Sequence, residues 1–246
     1  MQSYQIHLLR HGVTAANLNG QYIGRTDVPL APEGIAELKK LAATGAYPKA
    51  EVYYTSPRLR CIQSMNILYP GEDCYEVPGF DEINFGDWEG KTADELKGDP
   101  LFEKWLDHSA DVTPPNGEGA DEMLARIRST FETIVDGMIR AQVTSAVIMT
   151  HGGVIMNLLA AYGLPEASFY DWITAQGQGY SVRIMPSIWM NSNKVEVFDT
   201  IPGAEFTDPN DESRIAADLG REAAERSFGL TRPEGEPDRD QWEPYE

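Results

Sequence analysis

Short apolar runs alternate along this chain with longer segments whose apolar residues recur at helical spacing. Residues 4–9 read as a buried strand, and Val52-Tyr53-Tyr54 as a short one. Residues 32 to about 44 read as a helix with Pro32 in its first turn. Ser56-Pro57 is a helix entry, and residues 58–68 continue it as an amphipathic helix. Residues 75–77 suggest a further strand. Residues 121–140 carry Met123, Leu124, Ile127, Phe131, Ile134 and Val135 at helical spacing. Residues 146–150 form a second buried strand, with a helix from 154 to about 162. Residues 181–184 and 195–198 read as late strands. Strands alternating with helices predict an α/β fold, a three-layer α/β/α sandwich around a mostly parallel mixed sheet.

Two stretches break the pattern. Residues 83–118 read as irregular, with Gly, Pro and the aromatics Trp88, Phe102 and Trp105. So long an excursion in a compact domain is often functional, and its aromatics suit either a small core or a pocket wall. After about residue 205 aliphatic residues thin out and acidic residues outnumber basic ones more than twofold. The expected organisation is one α/β domain over 1–205 and an acidic C-terminal extension over 206–246. Within the extension, 211–226 suit a polar helix and 231–246 have the composition of a disordered segment.

The formal net charge of −19 makes nucleic acid a poor partner, because its phosphate backbone would be repelled. A small anionic substrate stays accessible, since a local arginine cluster reverses the potential inside one cleft. Two cysteines, Cys61 and Cys74, are too few for a disulfide framework and have no zinc spacing. Free thiols fit a reducing compartment. The N-terminus enters a strand pattern at once, with no room for a signal peptide. No apolar run approaches the roughly 20 residues that span a bilayer. The expectation is a cytoplasmic protein with no membrane or nucleic-acid partner. No carboxylate, His or Cys group has metal-ligand spacing, so neither metal nor cofactor is expected.

The chemistry sits at two strand ends that say nearly the same thing: Ile6-His7-Leu8-Leu9-Arg10-His11-Gly12 and Ala146-Val147-Ile148-Met149-Thr150-His151-Gly152-Gly153. In open α/β sheets ligands bind beyond the carboxyl ends of the strands, so two histidines there can face one site. Imidazole is a nucleophile when neutral and oriented, and the charge of Arg10 lowers the pKa of His11 while holding a phosphate against it. Gly12 allows a tight turn. Arg58 and Arg60 follow another strand end and place one or both guanidinium forks on the same rim. Gly152-Gly153 open a helix whose amides suit an anion. A leaving group needs a proton, and Asp81, Glu82, Asp87 and Glu89 all qualify; spacing does not choose among them. His7, inside a strand, reads as a structural histidine, His108 as an exposed loop residue and Cys61 as packing.

Four segments taken together resemble the histidine phosphatase superfamily over roughly residues 4–200. They are Leu9-Arg10-His11-Gly12, Ser56-Pro57-Arg58-Leu59-Arg60, Glu82-Ile83-Asn84-Phe85-Gly86-Asp87-Trp88-Glu89-Gly90 and Thr150-His151-Gly152-Gly153. The resemblance implies that His11 becomes a phosphohistidine, that Arg10, Arg60 and His151 hold the phosphoryl group, and that Glu82 is the acid and then the base. It selects Arg60 over Arg58 and places Asn17, Ile23, Gly24 and Gly152 along the substrate phosphate. Two positions depart from the family pattern. Ile23 stands where a polar residue is usual, and Gly117-Glu118-Gly119 where Gly-Glu-Ser is usual. The stretch from Phe85 to Gly90 looks like the alpha-ribazole-type and broad phosphatases rather than the mutases, which favours hydrolysis. The implied activity is metal-independent hydrolysis of a small phosphorylated metabolite. A bisphosphate-primed mutase and a non-catalytic sensor of phospho-ligands are the alternatives.

Overall fold

The computed structural model describes residues 2–106 and 112–203. In chain order the elements are β1 (Tyr4–Arg10), α1 (Ala15–Leu18), α2 (Pro32–Ala43), β2 (Val52–Thr55), α3 (Leu59–Leu68) and β3 (Cys74–Glu76). They continue with α4 (Ala93–Leu96), α5 (Pro100–Leu106), α6 (Ala120–Ala141), β4 (Ser145–Thr150), α7 (Gly152–Tyr162) and β5 (Gly163–Leu164). Last come β6 (Gly179–Ile184), α8 (Pro186–Ser192) and β7 (Val195–Ile201). The expected positions at His108, 211–226 and 231–246 lie outside the described residues.

The strands form one sheet in the order β3-β2-β4-β1-β6-β7-β5. β1 pairs in parallel with β4, β2 with β4 and with β3, and β5 with β7. Among the described strands only β6 runs against its neighbours, β1 and β7. The mostly parallel mixed sheet read from the sequence is therefore the observed one. Ile6 and Leu8 of β1 and Ala146 and Ile148 of β4 pack with Ile127, Phe131 and Val135 of α6 and with Val154 and Leu158 of α7. Leu9, Val147 and Met149 point the other way and pack with Leu38 of α2 and with Cys61 and Met65 of α3. Successive strand residues face opposite layers, and both layers are dry. This is why the central strands read as unbroken apolar runs rather than as alternation.

Helix ends follow their chemistry. α6 opens with Asp121 and Glu122, carries Arg140 in its last turn and closes on Gln142 in the left-handed region at φ 59°. Acid at the start and base at the end complement the helix dipole. The described parts of the stretch 83–118, residues 83–106 and 112–118, are more ordered than expected. They hold a 3-10 turn at Gly86–Trp88, then α4 and α5. Trp88, Leu96 and Phe102 bury one another as a third small core, with Tyr22, Phe85 and Trp105 against it. Periodicity could not show two helices this short. Trp88 and Phe102 are thus packing, not pocket wall.

Candidate active site

β1 and β4 are neighbours in mid-sheet, with Arg10 opposite Thr150 in register. The residues that follow, His11 and His151, are therefore carried side by side off the carboxyl end of the sheet. Their rings stand edge to face, 5.2 Å between centroids, and both are buried.

The His11 ring is fixed by one bond. Its Nδ1 lies 2.7 Å from the Gly12 carbonyl. A carbonyl only accepts, so Nδ1 carries the proton and Nε2 keeps its lone pair. Burial holds the pKa of His11 well below the usual value, with Arg60 and Arg10 adding to the effect against the Gly12 bond. Burial, not Arg10, is the larger cause. Gly12 itself is not in the left-handed region, so its own backbone angles do not demand a glycine. A Cβ there would lie 2.6 Å from Leu38 Cδ1, and its amide donates to Ser64 Oγ at 2.9 Å. Room against Leu38 of α2 and against Leu30 is what that position needs.

Arg60 sits in the first turn of α3 and is buried. It donates to the carbonyls of Gly24 (2.6 Å) and Thr26 (3.1 Å) and to His151 Nδ1 (3.2 Å). Gly24 is pressed against the 82–90 segment, where a Cβ would lie 1.6 Å from the Ile83 carbonyl oxygen. Ile23, half-buried, offers no polar atom; the contact made in this corner comes from the Gly24 main chain. Arg10 donates through Nη1 to the Thr174 carbonyl at 2.6 Å, while its buried Nε has no partner among the described residues. A Cβ on Gly152 would stand 3.2 Å from Arg10 Cζ and Nε. Gly152 thus makes room for the guanidinium.

The four candidate acids have separate fates. Glu82 accepts from the amides of Ile83 and Gly153, each at 3.0 Å. The Gly153 amide, expected as a phosphate donor, is given to Glu82 instead. Burial raises the Glu82 pKa, although those two amides, Arg60 and Arg10 oppose it. Asp81 is held by Arg58 through Nε (3.0 Å) and Nη2 (2.8 Å) and accepts from Ser56 Oγ at 2.8 Å. Asp87 is exposed and accepts from Asn116. Glu89 takes the amides of Gly24, Arg25, Thr26 and Phe85 at 2.9–3.2 Å. Burial alone would raise its pKa, yet these bonds outweigh it and hold Glu89 below the usual range. Only Glu82 combines the neighbourhood of Arg10 and Arg60 with a raised pKa.

The remaining positions divide between site and scaffold. Asn17 Oδ1 accepts from the amide and hydroxyl of Thr14, capping α1. Arg58 is partnered with Asp81 rather than open on the rim. His7 pairs with Ser181 Oγ at 2.9 Å, as a structural histidine should. Cys61 Sγ packs 3.6 Å from His151 Nε2, and burial pushes its thiol up to about 12. Glu118 is buried under Arg126 with two 2.8 Å bonds. Gly119 is the cap residue of α6 and supplies no side-chain bond, so the missing hydroxyl is a missing helix cap.

Sequence reasoning missed the Thr174 carbonyl, which has no residue-type signature, and the link from His151 to Ser56 and Asp81. In the sequence Ser56 reads as a helix entry and as the first residue of the Ser56–Arg60 segment, neither of which points to His151. Among the described residues no group of three or more His, Cys, Asp or Glu is placed to hold a metal ion. No described helix is long and apolar enough to cross a membrane.

The family model for the histidine phosphatase superfamily (branch 1) matches residues 6–189. An adenosylcobalamin/alpha-ribazole phosphatase of Salmonella typhimurium is 28% identical over 178 residues, covering 70% of this chain and 87% of that protein. A 2,3-bisphosphoglycerate-dependent phosphoglycerate mutase of Bartonella henselae is 31% identical over 167 residues, 63% of this chain and 79% of its own. The crystal structure of the alpha-ribazole phosphatase from Shigella flexneri superposes with a TM-score of 0.68 at 23% identity, over 79% of this chain and 94% of that one.

Proposed function

Since the chain belongs to the histidine phosphatase superfamily, we propose that it is a phosphomonoesterase acting on a small phosphorylated metabolite through a phosphohistidine at His11. The observation that carries this reading is the His11 ring. Its Nδ1–H is committed to the Gly12 carbonyl, and the ring is kept neutral by burial and by two arginines. Its Nε2 lone pair is left for phosphorus.

In the first step Nε2 attacks phosphorus, the bond to the leaving oxygen breaks, and Glu82 gives that oxygen its proton. In the second, ionised Glu82 takes a proton from water, the oxygen attacks phosphorus, and the P–N bond returns its electrons to His11. Proton transfer of this kind contributes about 10²–10⁴ in rate. Uncatalysed phosphomonoester hydrolysis demands far more, so the larger share falls to the fixed charges of Arg10 and Arg60. The unpartnered Nε of Arg10 is a donor of the right type for a phosphoryl oxygen.

A mutase is the second reading, supported by relatives that carry that name. The segment Phe85-Gly86-Asp87-Trp88-Glu89-Gly90 and the alpha-ribazole phosphatase relatives favour hydrolysis. Turnover should be measured across sugar phosphates, phosphoamino acids, phosphoglycerates and alpha-ribazole phosphate, with and without a bisphosphate primer. Release of inorganic phosphate without primer is expected; strict dependence on a primer would select the mutase. Rapid quench should trap an acid-labile phosphoryl group on wild-type protein and none on a folded His11→Ala variant. Normal turnover by that variant would overturn the mechanism.

A further inference from the structure

His151 is the end of a buried chain of hydrogen bonds that the mechanism above does not use. Its Nδ1 faces Arg60 Nη2 at 3.2 Å, and its Nε2 faces Ser56 Oγ at 2.9 Å. Ser56 Oγ lies 2.8 Å from Asp81 Oδ1 and 3.4 Å from the Arg58 amide. Asp81 is gripped at both oxygens by the Arg58 guanidinium. Ser56, Asp81 and His151 are all buried.

The direction of each proton follows from what each group can do. A carboxylate paired with a guanidinium only accepts, so the Ser56 hydroxyl proton is committed to Asp81. A hydroxyl has one proton and two acceptor sites. One of those sites takes the Arg58 amide, and the other is left for His151, whose Nε2 must then carry a proton. Arg60 only donates, so Nδ1 of the neutral ring is the bare nitrogen. That is the nitrogen on the side where Arg60 would hold a phosphoryl oxygen. A neutral His151 locked this way would meet such an oxygen lone pair to lone pair.

Resting on the phosphatase reading, we infer that Ser56 and Asp81 are positioning residues that fix the His151 tautomer, so that an oxyanion bound beside Arg60 is met by His151 only after Nδ1 takes up a proton. The step is a simple proton addition: neutral imidazole and one proton give imidazolium, the Arg60–Nδ1 hydrogen bond is given up, and Nδ1–H and the freed Arg60 Nη2–H both donate to the oxyanion. The proton comes from solvent or from the monoanion of the phosphate ester, and no bond other than N–H forms. The groups facing the ring are Arg60 and Cys61 from α3, Arg10 and His11 from the end of β1, and Ser56 with Arg58 from the segment before α3. Burial, Arg60, His11, Arg10 and Arg58 all hold the His151 pKa well below its usual value. The free site therefore starts with His151 neutral, and a bound dianion supplies the charge that reverses this.

The test is calorimetric titration of the full chain with tungstate, a dianion with no proton of its own at neutral pH. Titration in buffers of different ionisation enthalpy gives the protons taken up. The expected result is uptake of about one proton per tungstate bound by the wild type. Asp81→Asn should bring uptake close to zero. An asparagine amide can donate to Ser56, whose hydroxyl then donates to Nε2, and Nδ1–H is present without an added proton. Ser56→Ala, which leaves the Asp81–Arg58 pair intact, is the second variant should Asp81→Asn fail to fold, and uptake should fall there too. Tungstate binding without proton uptake in the wild type would overturn this inference and leave the phosphatase reading standing. Undiminished uptake in a folded Asp81→Asn or Ser56→Ala protein would do the same, as would loss of uptake in His11→Ala but in neither of those variants. No tungstate binding at all would overturn the oxyanion site itself, and the inference with it.

Discussion

At the scale of the residue, Glu82 carries two opposed demands. The proposed mechanism needs its proton when the ester bond breaks and needs it gone when water attacks. Burial lifts its pKa, while the amides of Ile83 and Gly153, with Arg60 and Arg10, pull it back. A carboxyl raised above its usual range keeps its proton to higher pH, so the first step should be favoured on the acidic side and fade as pH rises. Glu82→Gln tests the assignment through the leaving group. An alkoxide leaves badly, so phosphorylation of His11 by an alkyl phosphate should slow by about 10²–10⁴. The same step with p-nitrophenyl phosphate should suffer far less, because its phenolate leaves without help. Single-turnover rates with both substrates decide it; equal losses would remove Glu82 as the acid. The choice among four carboxyls was invisible in the sequence because all lie in one polar stretch. The fold separates them by partner: Arg58 takes Asp81, Asn116 takes Asp87 and four amides take Glu89.

At the scale of the element, the site depends on two loops being tied together. The Glu89 carboxylate gathers the amides of residues 24–26, and the carbonyls of Gly24 and Thr26 then receive Arg60. Glu89 touches no reacting atom in this account and acts through the backbone. Glu89→Ala would strip partners from several amides, at about 1–3 kcal/mol for each left buried and unsatisfied. The expected outcome is a lower Tm together with weaker competitive inhibition by vanadate, since the carbonyls that orient Arg60 lose their anchor. Inhibition unchanged from wild type in a folded variant would show that Arg60 is held without them. The turn of 3-10 helix at Gly86–Trp88 and the small core of Trp88, Leu96 and Phe102 hold the other side of that tie.

At the scale of the whole molecule, the burial that tunes the site also sets its response to acid. His7 lies in the central strand, and burial lowers its pKa from 6.5 to about 4, with Asp199 opposing. The folded state thus excludes a proton that the unfolded chain binds. This contribution is full above about pH 6.5 and is lost as pH falls towards 4, amounting to about 3 kcal/mol at most. His11 and His151 shift in the same direction, so unfolding in urea should become easier through this window. The stability gap between wild type and His7→Gln should narrow as pH falls through it; a gap constant from pH 7 to 4 would show that His7 is not excluded from protonation. The sequence alone established the alternation of apolar strands and amphipathic helices, and with it a mostly parallel α/β sheet. It also determined that Arg10-His11 and His151 end two of those strands, because apolar periodicity is local and the loop after each strand is short. Everything that joins distant segments came from tertiary packing. Placing β1 beside β4 brought His11 to His151, and Glu89 closed onto residues 24–26. The Thr174 carbonyl came to Arg10, and Asp81 reached His151 through Ser56. Those pairings span long stretches of chain, and several use backbone groups common to every residue, so their partners are set by packing rather than by any local pattern.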